Sequence, residues 1–403
     1  MKIGLIMPIS YGPLEKYIPG ASKLPEPLEF VYGAQLAVRL REMGHEIHIF
    51  TVCRSKIEKS VHIHGDGMWL HITGGEFGGK LATVHRMLTG FALESSALRK
   101  MMDEYPCDIF NAHWCYEFAR PVVESDYPHV VTMHDNPWRV LLYFRPKSYR
   151  FCRLLLSFYV LCRAKHVSAV SPYMASYCEK VHRMKNVKVI PNALSFHDDL
   201  QTINDRTTKD TDKIVFVEIA NGFRGCKNIK RLLKAYKAVR DYAIANGREV
   251  ELRIYGGEFG EGELGHLWAK KHSLADGVVW CGQLPHDDML RAVSQVGDVF
   301  IHASLEESFG LVIIEAMRLG LPTIVGKYSG AASWVAGEGE TGLVVDVRKV
   351  DAMRDAMVWM VEHPEERKQF SFAGIKRVEN EFSLDTAAKR YEAMYKEVLA
   401  SGK

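Results

Sequence analysis

Two glutamates that flank a glycine are the residues of this sequence whose types and spacing point most directly to chemistry. Glu307 follows an apolar run that ends at His302, and Glu315 lies eight residues further on, about two turns into a predicted helix. The first turn of that helix offers unpaired N–H groups and a positive dipole end, and Gly310 lets a ligand approach the backbone. The segment predicts an anion site whose two carboxylates reach opposite ends of one ligand. The alternative is that both are solvated surface charges.

Two cations follow the apolar run that begins at Ile214. Arg224 and Lys227 lie in the segment 222–228, directly before a predicted helix. Where no metal is used, two cations are suited to neutralise a diphosphate as it leaves. The alternative for this pair is a charge cluster that only marks the start of a helix.

Two histidines in the N-terminal half come at the ends of β-rich runs. His113 follows the run 108–112, and His134 follows the run 129–133. A histidine in such a position can face a ligand, because open parallel sheets bind ligands at the carboxyl ends of their strands. The alternative for each is a core histidine whose hydrogen bonds are satisfied within the protein.

Alternating strands and helices position these residues. One series of short apolar strands and amphipathic helices fills the first part of the chain, and a second starts at Ile214. A polar stretch between Leu194 and Lys213 separates them. This alternation is typical of parallel, doubly wound sheets. We therefore predict an α/β protein with two Rossmann-like domains that face a cleft.

Composition narrows the class of protein. The 403 residues include 52 Lys plus Arg and 49 Asp plus Glu, a net charge of +3 that argues against a nucleic-acid-binding protein. The eight cysteines show no C-x-x-C spacing, so we expect reduced thiols and no metal site. The longest apolar stretch, 154–162, is far shorter than the roughly 20 residues that span a bilayer. Because the apolar start is also too short for a signal peptide, we expect a cytoplasmic protein.

The segment 302–322 resembles the E-x7-E signature of the family 4 retaining glycosyltransferases, which have the GT-B fold. The resemblance implies that Glu307 contacts the donor sugar and that Glu315 binds the ribose hydroxyls. It also implies that the backbone of Phe309, Gly310 and Leu311 meets the diphosphate and sugar. The similarity continues through Gly342-Leu343-Val344.

Further matches to the family assign roles elsewhere. Lys227 matches a lysine that holds the donor diphosphate, with Arg224 as the substitute for the usual arginine, and Gly282 matches a glycine that exposes backbone to the nucleotide. His134 is implied in the catalytic site, and His113 and Glu29 lie on the acceptor side. Glu29 stands in Pro27-Leu28-Glu29, where the family usually carries a Gly-Gly loop.

The resemblance also implies the domain organisation. An acceptor-side domain would span 1–193 and be completed by a C-terminal helix at 385–403, and a donor-binding domain would span 213–384.

The expected function is retaining transfer of a sugar from a nucleotide-sugar donor to a hydroxyl acceptor, without a metal or other cofactor. The acceptor would be a sugar, a lipid-linked compound or a small molecule, as in the synthesis of cell-envelope polysaccharide or glycolipid. Whether the donor is a UDP-, GDP- or ADP-sugar is left open. Two alternatives remain: an epimerase or phosphorylase on the same fold, and a non-catalytic nucleotide-sugar-binding protein.

The charge is unevenly distributed along the chain. Residues 136–178 contain seven Lys or Arg and no Asp or Glu, interleaved with aromatic and aliphatic residues. Such a segment is typical of contact with an anionic membrane surface. The alternative is an ordinary core helix with basic edges.

Overall fold

The structure is a computed structural model that describes residues 1–55, 57–75, 79–195, 213–223 and 225–402. The chain divides into two compact units. Unit 1 comprises Met1–Ser195 together with Leu384–Lys403, and unit 2 comprises Phe196–Ser383.

Strands and helices alternate along most of the chain. The strands are β1 (Lys2–Ile6), β2 (Glu46–Cys53), β3 (Val61–Gly65), β4 (Met68–Gly74), β5 (Ile109–His113), β6 (His129–Met133), β7 (Val167–Ala169), β8 (Lys188–Val189), β9 (Lys213–Ile219), β10 (Glu249–Tyr255), β11 (Val278–Gly282), β12 (Val299–His302), β13 (Thr323–Gly326) and β14 (Gly342–Val345). The helices are α1 (Val31–Glu42), α2 (Gly79–Leu88), α3 (Ala92–Glu104), α4 (Arg120–Val123), α5 (Pro137–Tyr143), α6 (Lys147–Leu161), α7 (Pro172–His182), α8 (Ile229–Ala245), α9 (Leu264–Lys271), α10 (His286–Val296), α11 (Leu311–Arg318), α12 (Ala332–Val335), α13 (Val350–Glu362), α14 (Pro364–Glu381) and α15 (Leu384–Ala400).

Unit 1 is built on a sheet with the strand order β3-β4-β2-β1-β5-β6-β7-β8. Its paired strands are parallel except for β3, which runs antiparallel to β4 at the edge. The core packs α1 and the C-terminal α15 against the strands, and Tyr391 and Tyr395 of α15 are fully buried. The Tyr395 hydroxyl accepts a hydrogen bond from the Asn111 amide of β5 at 2.7 Å, so the last helix is tied to the middle of the sheet.

Unit 2 is built on a parallel sheet with the order β11-β10-β9-β12-β13-β14. The chain starts in the middle with β9, runs outward through β10 and β11, and returns to add β12 on the other side of β9. Val299 and Phe300 of β12 thereby pair with Phe216 and Val217 of β9. The order reverses at this pair, and open sheets bind ligands at such a switch point.

The sequence predicted the α/β class and most strands. The observed β6 spans the predicted run 129–133, and β5 (Ile109–His113) is displaced by one residue from the predicted run 108–112. The sequence predicts that α11 begins near Ser308 to Gly310, and the helix begins at Leu311 with Gly310 as its N-cap. The C-terminal end of α11 is followed by Gly320, whose φ of 82° is the left-handed conformation that commonly ends a helix at a glycine.

The length and hydropathy of a helix decide whether it can cross a bilayer. Among the described residues, no helix is long and apolar enough to cross a membrane.

Candidate active site

The loops that follow β9 and β12 hold each other at the switch point of unit 2. The Asn228 side chain, at the start of α8, donates hydrogen bonds to the carbonyls of Ala303 at 3.0 Å and Val347 at 2.8 Å. The Leu305 amide donates to the Cys226 carbonyl at 2.7 Å. These bonds satisfy buried backbone groups, and they fix the loop that carries Glu307 against the short helix Gly225–Lys227.

Lys227 and Glu307, each predicted to bind a part of the donor, are in direct contact. The Lys227 ammonium donates to Oε1 of Glu307 at 2.8 Å. Nε2 of His302, the last residue of β12, lies 3.1 Å from the same oxygen. The backbone carbonyl of Glu307 accepts from the Ala331 amide at 2.9 Å, so both ends of this residue are anchored.

The charges of this pair stabilise each other. Burial alone would raise the pKa of Glu307, but the Lys227 ammonium and the His302 hydrogen bond hold that pKa far below its ordinary value. Burial alone would lower the pKa of Lys227, and the Glu307 carboxylate raises it instead. Both groups are therefore ionised at neutral pH, and the site holds a fixed cation beside a fixed anion.

Gly310 shapes the mouth of α11, because its backbone lies in the left-handed region with a φ of 94°. A Cβ atom there would come within 2.8 Å of Cδ1 of Ile313, so the turn favours glycine on both counts. Phe309 is buried and packs edge-on against Phe382, with ring centroids 5.6 Å apart. Its side chain anchors the turn, and only its backbone remains suited to meet a ligand.

Glu315 lies inside α11 with little exposed surface and has a partner that the sequence did not predict. Nε2 of His286, the first residue of α10, lies 2.8 Å from Oε1 of Glu315. This hydrogen bond raises the pKa of His286, an effect that burial of the ring only partly offsets. The hydrogen bond with His286 gives the Glu315 carboxylate a fixed orientation.

Gly282 ends β11 with a φ of 66°. Its N–H donates to the Phe259 carbonyl at 3.1 Å, and its carbonyl accepts from Gly256 at 2.8 Å. Its backbone groups are therefore engaged within unit 2. A cavity of about 310 Å³ lies at the opposite, amino edge of the same sheet, near Lys213 and Gly277, away from the residues predicted for the site.

The two histidines of unit 1 form an aromatic cluster at the carboxyl ends of β5 and β6. Nδ1 of His113 and Nε2 of His134 are 2.8 Å apart. Phe30, just before α1, packs edge-on against Trp114 and His134, with centroid distances of 4.7 and 5.3 Å. Trp114 has a φ of 68°, a strained backbone conformation for a bulky residue.

Hydrogen bonding assigns the tautomers of this pair. Burial lowers the pKa of His113 to about 3, and burial together with His113 lowers that of His134 well below its ordinary value, so both rings are neutral. Nε2 of His113 is buried without a partner in the described part of the chain. An orphaned acceptor costs less than an orphaned donor, so the proton lies on Nδ1 of His113 and points to His134. His134 then carries its own proton on Nδ1.

Two further residues were predicted for the site, Glu29 and Arg224. Glu29 is exposed one residue before Phe30, at the entry to α1. Arg224 lies outside the described residues. The described ranges contain no group of three or more His, Cys, Asp or Glu side chains arranged to hold a metal ion.

Two families of known proteins match the chain in consecutive segments. Glycosyltransferase Family 4 matches residues 31–196, and Glycosyl transferases group 1 matches residues 199–377. The chain is a glycosyltransferase.

Relatives and solved structures agree with this assignment. The N-acetyl-alpha-D-glucosaminyl L-malate synthase of Bacillus anthracis is 22% identical over 388 residues, which cover 93% of this glycosyltransferase and 94% of that protein. The sucrose-phosphate synthase from Thermosynechococcus elongatus superposes with a TM-score of 0.73 at 19% identity and 100% coverage of both chains. A trehalose-6-phosphate synthase studied for glycosyl transfer with retention gives a TM-score of 0.69 at 9% identity, covering 98% of this chain and 99% of its own. These neighbours establish the GT-B fold.

Two partners of the candidate site residues were not predicted from the sequence. His302 was noticed only as a strand end, and its contact with Glu307 requires the strand to stop where it does. His286 stands in a Pro-His helix start with nothing in the sequence to connect it to Glu315. The signal for His302 was available, because a histidine that ends an apolar strand directly before two glutamates is a candidate partner for either.

Proposed function

We propose that this glycosyltransferase moves a sugar from a nucleotide-sugar donor to a hydroxyl acceptor with retention of the anomeric configuration. The observation that carries the proposal is the contact between Lys227 and Glu307 beside the mouth of α11. A cation, a carboxylate and the amides at the start of a helix lie close together here, and this combination supports binding of a sugar diphosphate.

The proposed reaction exchanges one bond to the anomeric carbon for another on the same face of the sugar. The bond from this carbon to the diphosphate oxygen breaks, and the bond to the acceptor oxygen forms. The hydroxyl proton passes to the departing phosphate oxygen. Lys227, with Arg224, neutralises the charge that develops on the diphosphate, and the amides from Phe309 to Leu311 share that charge.

The remaining residues position the two substrates. We assign the donor sugar to Glu307 and the ribose hydroxyls to Glu315, whose carboxylates can accept hydrogen bonds from hydroxyl groups. We assign His134 to the sugar as a neutral donor through Nδ1, with His113 behind it and Glu29 on the acceptor side. The names of the alpha-glucosaminyl relative and of the synthase that acts with retention support an α product.

A panel of nucleotide sugars tests the proposal. The intact protein would be incubated with UDP-, GDP- and ADP-sugars, and thermal stability and nucleotide release would be measured. We expect one nucleoside diphosphate to stabilise the protein selectively and its sugar to be consumed when acceptor hydroxyls are supplied. No stabilisation by any nucleotide would contradict the proposal.

The same panel separates the two alternatives. An epimerase would change the donor sugar without releasing the nucleotide, and a phosphorylase would need inorganic phosphate as the acceptor. A non-catalytic binding protein would be stabilised by its ligand and release nothing. We favour transfer because a fixed Lys227 at the diphosphate position serves bond cleavage more than simple recognition.

We further propose that unit 1 contacts an anionic membrane surface. The contact would be made by α5 and α6, which lie within 136–178, together with α2. The apolar side chains of α2 face solvent: Leu81 is 86% exposed and Leu88 82% exposed, while Arg86 of the same helix is buried in an ion pair with Glu94 at 2.6 Å. Exposed apolar residues continue on α5 and α6, at Trp138, Leu142, Phe151 and Leu155.

The basic residues of this segment divide into two groups, which refines the prediction from charge alone. The Arg153 guanidinium stacks 3.8 Å from the ring centroid of Tyr116 and pairs with Glu117, so it serves the interior. Arg139, Arg145 and Lys165 are exposed. Exposed cations beside an apolar surface match the chemistry of anionic lipid headgroups above acyl chains.

Co-sedimentation with vesicles tests the membrane contact. We expect binding to vesicles that contain anionic phosphatidylglycerol, weaker binding to pure phosphatidylcholine, and release by salt. Changing Leu81 and Leu88 to Ser should abolish binding. The matched control changes Ile244 and Leu267 of unit 2, which are also exposed, to Ser and should leave it intact. Binding that is absent, insensitive to salt or unchanged in the α2 variant would refute the contact.

A further inference from the structure

Two buried titratable side chains lie behind Glu307 and have no part in the proposed mechanism. Glu218 is in β9, His302 ends the neighbouring β12, and neither side chain has any exposed surface. Nδ1 of His302 and Oε1 of Glu218 are 3.8 Å apart, and neither atom has a hydrogen-bond partner among the described residues. The other oxygen of Glu218 accepts from the Ala303 amide at 2.9 Å. Orphaned polar atoms at this depth are rare and call for an explanation.

The contact of His302 with Glu307 fixes where its proton lies. Oε1 of Glu307 already accepts from Lys227, and an ionised carboxylate can only accept hydrogen bonds. Nε2 of His302, 3.1 Å from that oxygen, must therefore carry the proton. In the neutral ring, Nδ1 then presents a lone pair to Glu218.

The surroundings of Glu218 favour its protonated form. Burial raises its pKa to about 8; the Glu307 charge adds to this effect, and the Ala303 amide and Lys227 partly oppose it. The Cys226 thiol, which lies next to Lys227 in the chain, is kept neutral because burial raises its pKa. On the adjacent strand β10, the apolar Ile254 pairs with Glu218. At neutral pH, the carboxyl thus has a proton to offer and faces one unoccupied acceptor, Nδ1 of His302.

We propose that Glu218 is a positioning residue, whose protonated carboxyl donates to Nδ1 of His302 and so holds Nε2–H on Glu307. The two atoms are 3.8 Å apart, farther than a hydrogen bond, so the proposed bond forms when one of the two side chains moves closer. The inference deepens the proposed function, on which it rests, because Glu307 is there assigned to the donor sugar. Loss of this proton turns the lone pair of Nδ1 toward a carboxylate, which repels it and releases Glu307.

Two substitutions of Glu218 separate the effect of its donated proton from the effect of the space that its side chain fills. The Glu218→Gln amide can donate to Nδ1 at every pH, whereas Glu218→Leu fills the space without a donor. Glu251→Gln is the matched control, because Glu251 lies on the adjacent β10 and pairs with Lys213 and Arg253 instead.

The first measurement is the pH dependence of kcat from about pH 6 to about pH 9. The wild type and Glu251→Gln should lose activity as pH rises through about 8, where Glu218 ionises. Glu218→Gln should stay active and lose this alkaline limb. Glu218→Leu should be about tenfold slower at neutral pH, the value of one hydrogen bond. An unchanged limb in Glu218→Gln, or a wild-type rate in Glu218→Leu, would overturn the inference.

The second measurement does not depend on turnover. The ¹⁵N resonances of the His302 ring, identified by their loss in His302→Gln, report which nitrogen carries the proton. We expect the Nε2–H tautomer in the wild type and Glu218→Gln at neutral pH, and a mixed population in Glu218→Leu. The same tautomer in all three proteins would overturn the inference. If these spectra agree with expectation and no sugar is transferred, the proposed function is wrong, whereas the hydrogen bond from Glu218 to His302 remains supported.

Discussion

The ammonium of Lys227 meets the carboxylate of Glu307 at 2.8 Å, although 80 positions separate them in the chain. The contact exists because β12 returns to the side of β9, which brings the loops after these two strands together. Lys227 is thereby oriented toward the mouth of α11 without a ligand. A cation that is already oriented stabilises developing charge without first having to reorganise.

Replacing Lys227 should reduce transfer strongly. We expect Lys227→Ala to lower kcat about 100-fold to 1,000-fold, because the leaving diphosphate loses a fixed cation in a partly buried site. The measurement is nucleotide release with the donor that the panel selects. Lys234→Ala, which removes an exposed lysine of α8, is the control and should retain the wild-type rate. Equal rates in the two variants would remove Lys227 from the mechanism.

Glu307 should contribute stability that depends on pH. Its pKa in the folded protein is depressed below the ordinary 4.5, so the contribution is present above about pH 4.5 and is lost as pH falls toward the folded value. We expect Glu307→Gln to lower the Tm of unit 2 by about 2–6 °C at neutral pH, because Lys227 loses its counter-charge. Calorimetry should show this difference shrink below pH 4.5. A difference that is constant with pH would refute the ionised pair.

Glu315 should discriminate nucleotides by their ribose. We expect Glu315→Ala to bind the selected nucleoside diphosphate about tenfold more weakly, the value of roughly one hydrogen bond to a charged group. The 2′,3′-dideoxy analogue should bind the variant and the wild type equally, which titration calorimetry would measure. His286→Ala is the control, because it leaves the carboxylate in place and should preserve the preference for ribose. An equal loss for both nucleotides in Glu315→Ala would contradict the assignment.

The histidine pair of unit 1 should make turnover insensitive to mild acid. Because burial lowers the pKa of His113 to about 3 and that of His134 lies well below its ordinary value, neither ring gains a proton between about pH 5 and about pH 7. We expect kcat to remain constant across this range, and His134→Ala to be at least about tenfold slower throughout. A fall in wild-type kcat with a midpoint near pH 6.5 that disappears in His134→Ala would show an ordinary histidine instead.

Much of the fold follows from the sequence, because parallel strands buried on both faces appear as apolar runs. The strands around Phe216, Ile254 and Phe300 have this form and were all predicted. The hairpin of β3 and β4 was not predicted, although Val61 and Ile63 alternate with His62 and His64 as in a half-exposed edge strand, because this run is only five residues long. The helix α2 was not predicted either, because its outward Leu81 and inward Arg86 invert the usual pattern of an amphipathic helix.

The sequence predicted most residues of the candidate site, but it did not predict which of them contact each other. The spacing of Glu307 and Glu315 is local and can be seen in the sequence, whereas their partners His302, Lys227 and His286 depend on strand order and helix placement. Glu218 did carry a signal, because a charged residue within the buried run 214–219 is costly unless it has a role. Its contact with His302 becomes visible only when β9 and β12 are known to be neighbours.

The anomeric configuration of the product tests the central proposal most directly. The wild type would be supplied with the α-linked nucleotide sugar that the panel selects and an acceptor alcohol, and the product would be examined by proton NMR alongside that of Lys227→Ala. We expect an α-linked product from the wild type and almost none from the variant. A β-linked product, or an α-linked product formed equally fast without Lys227, would contradict the proposal.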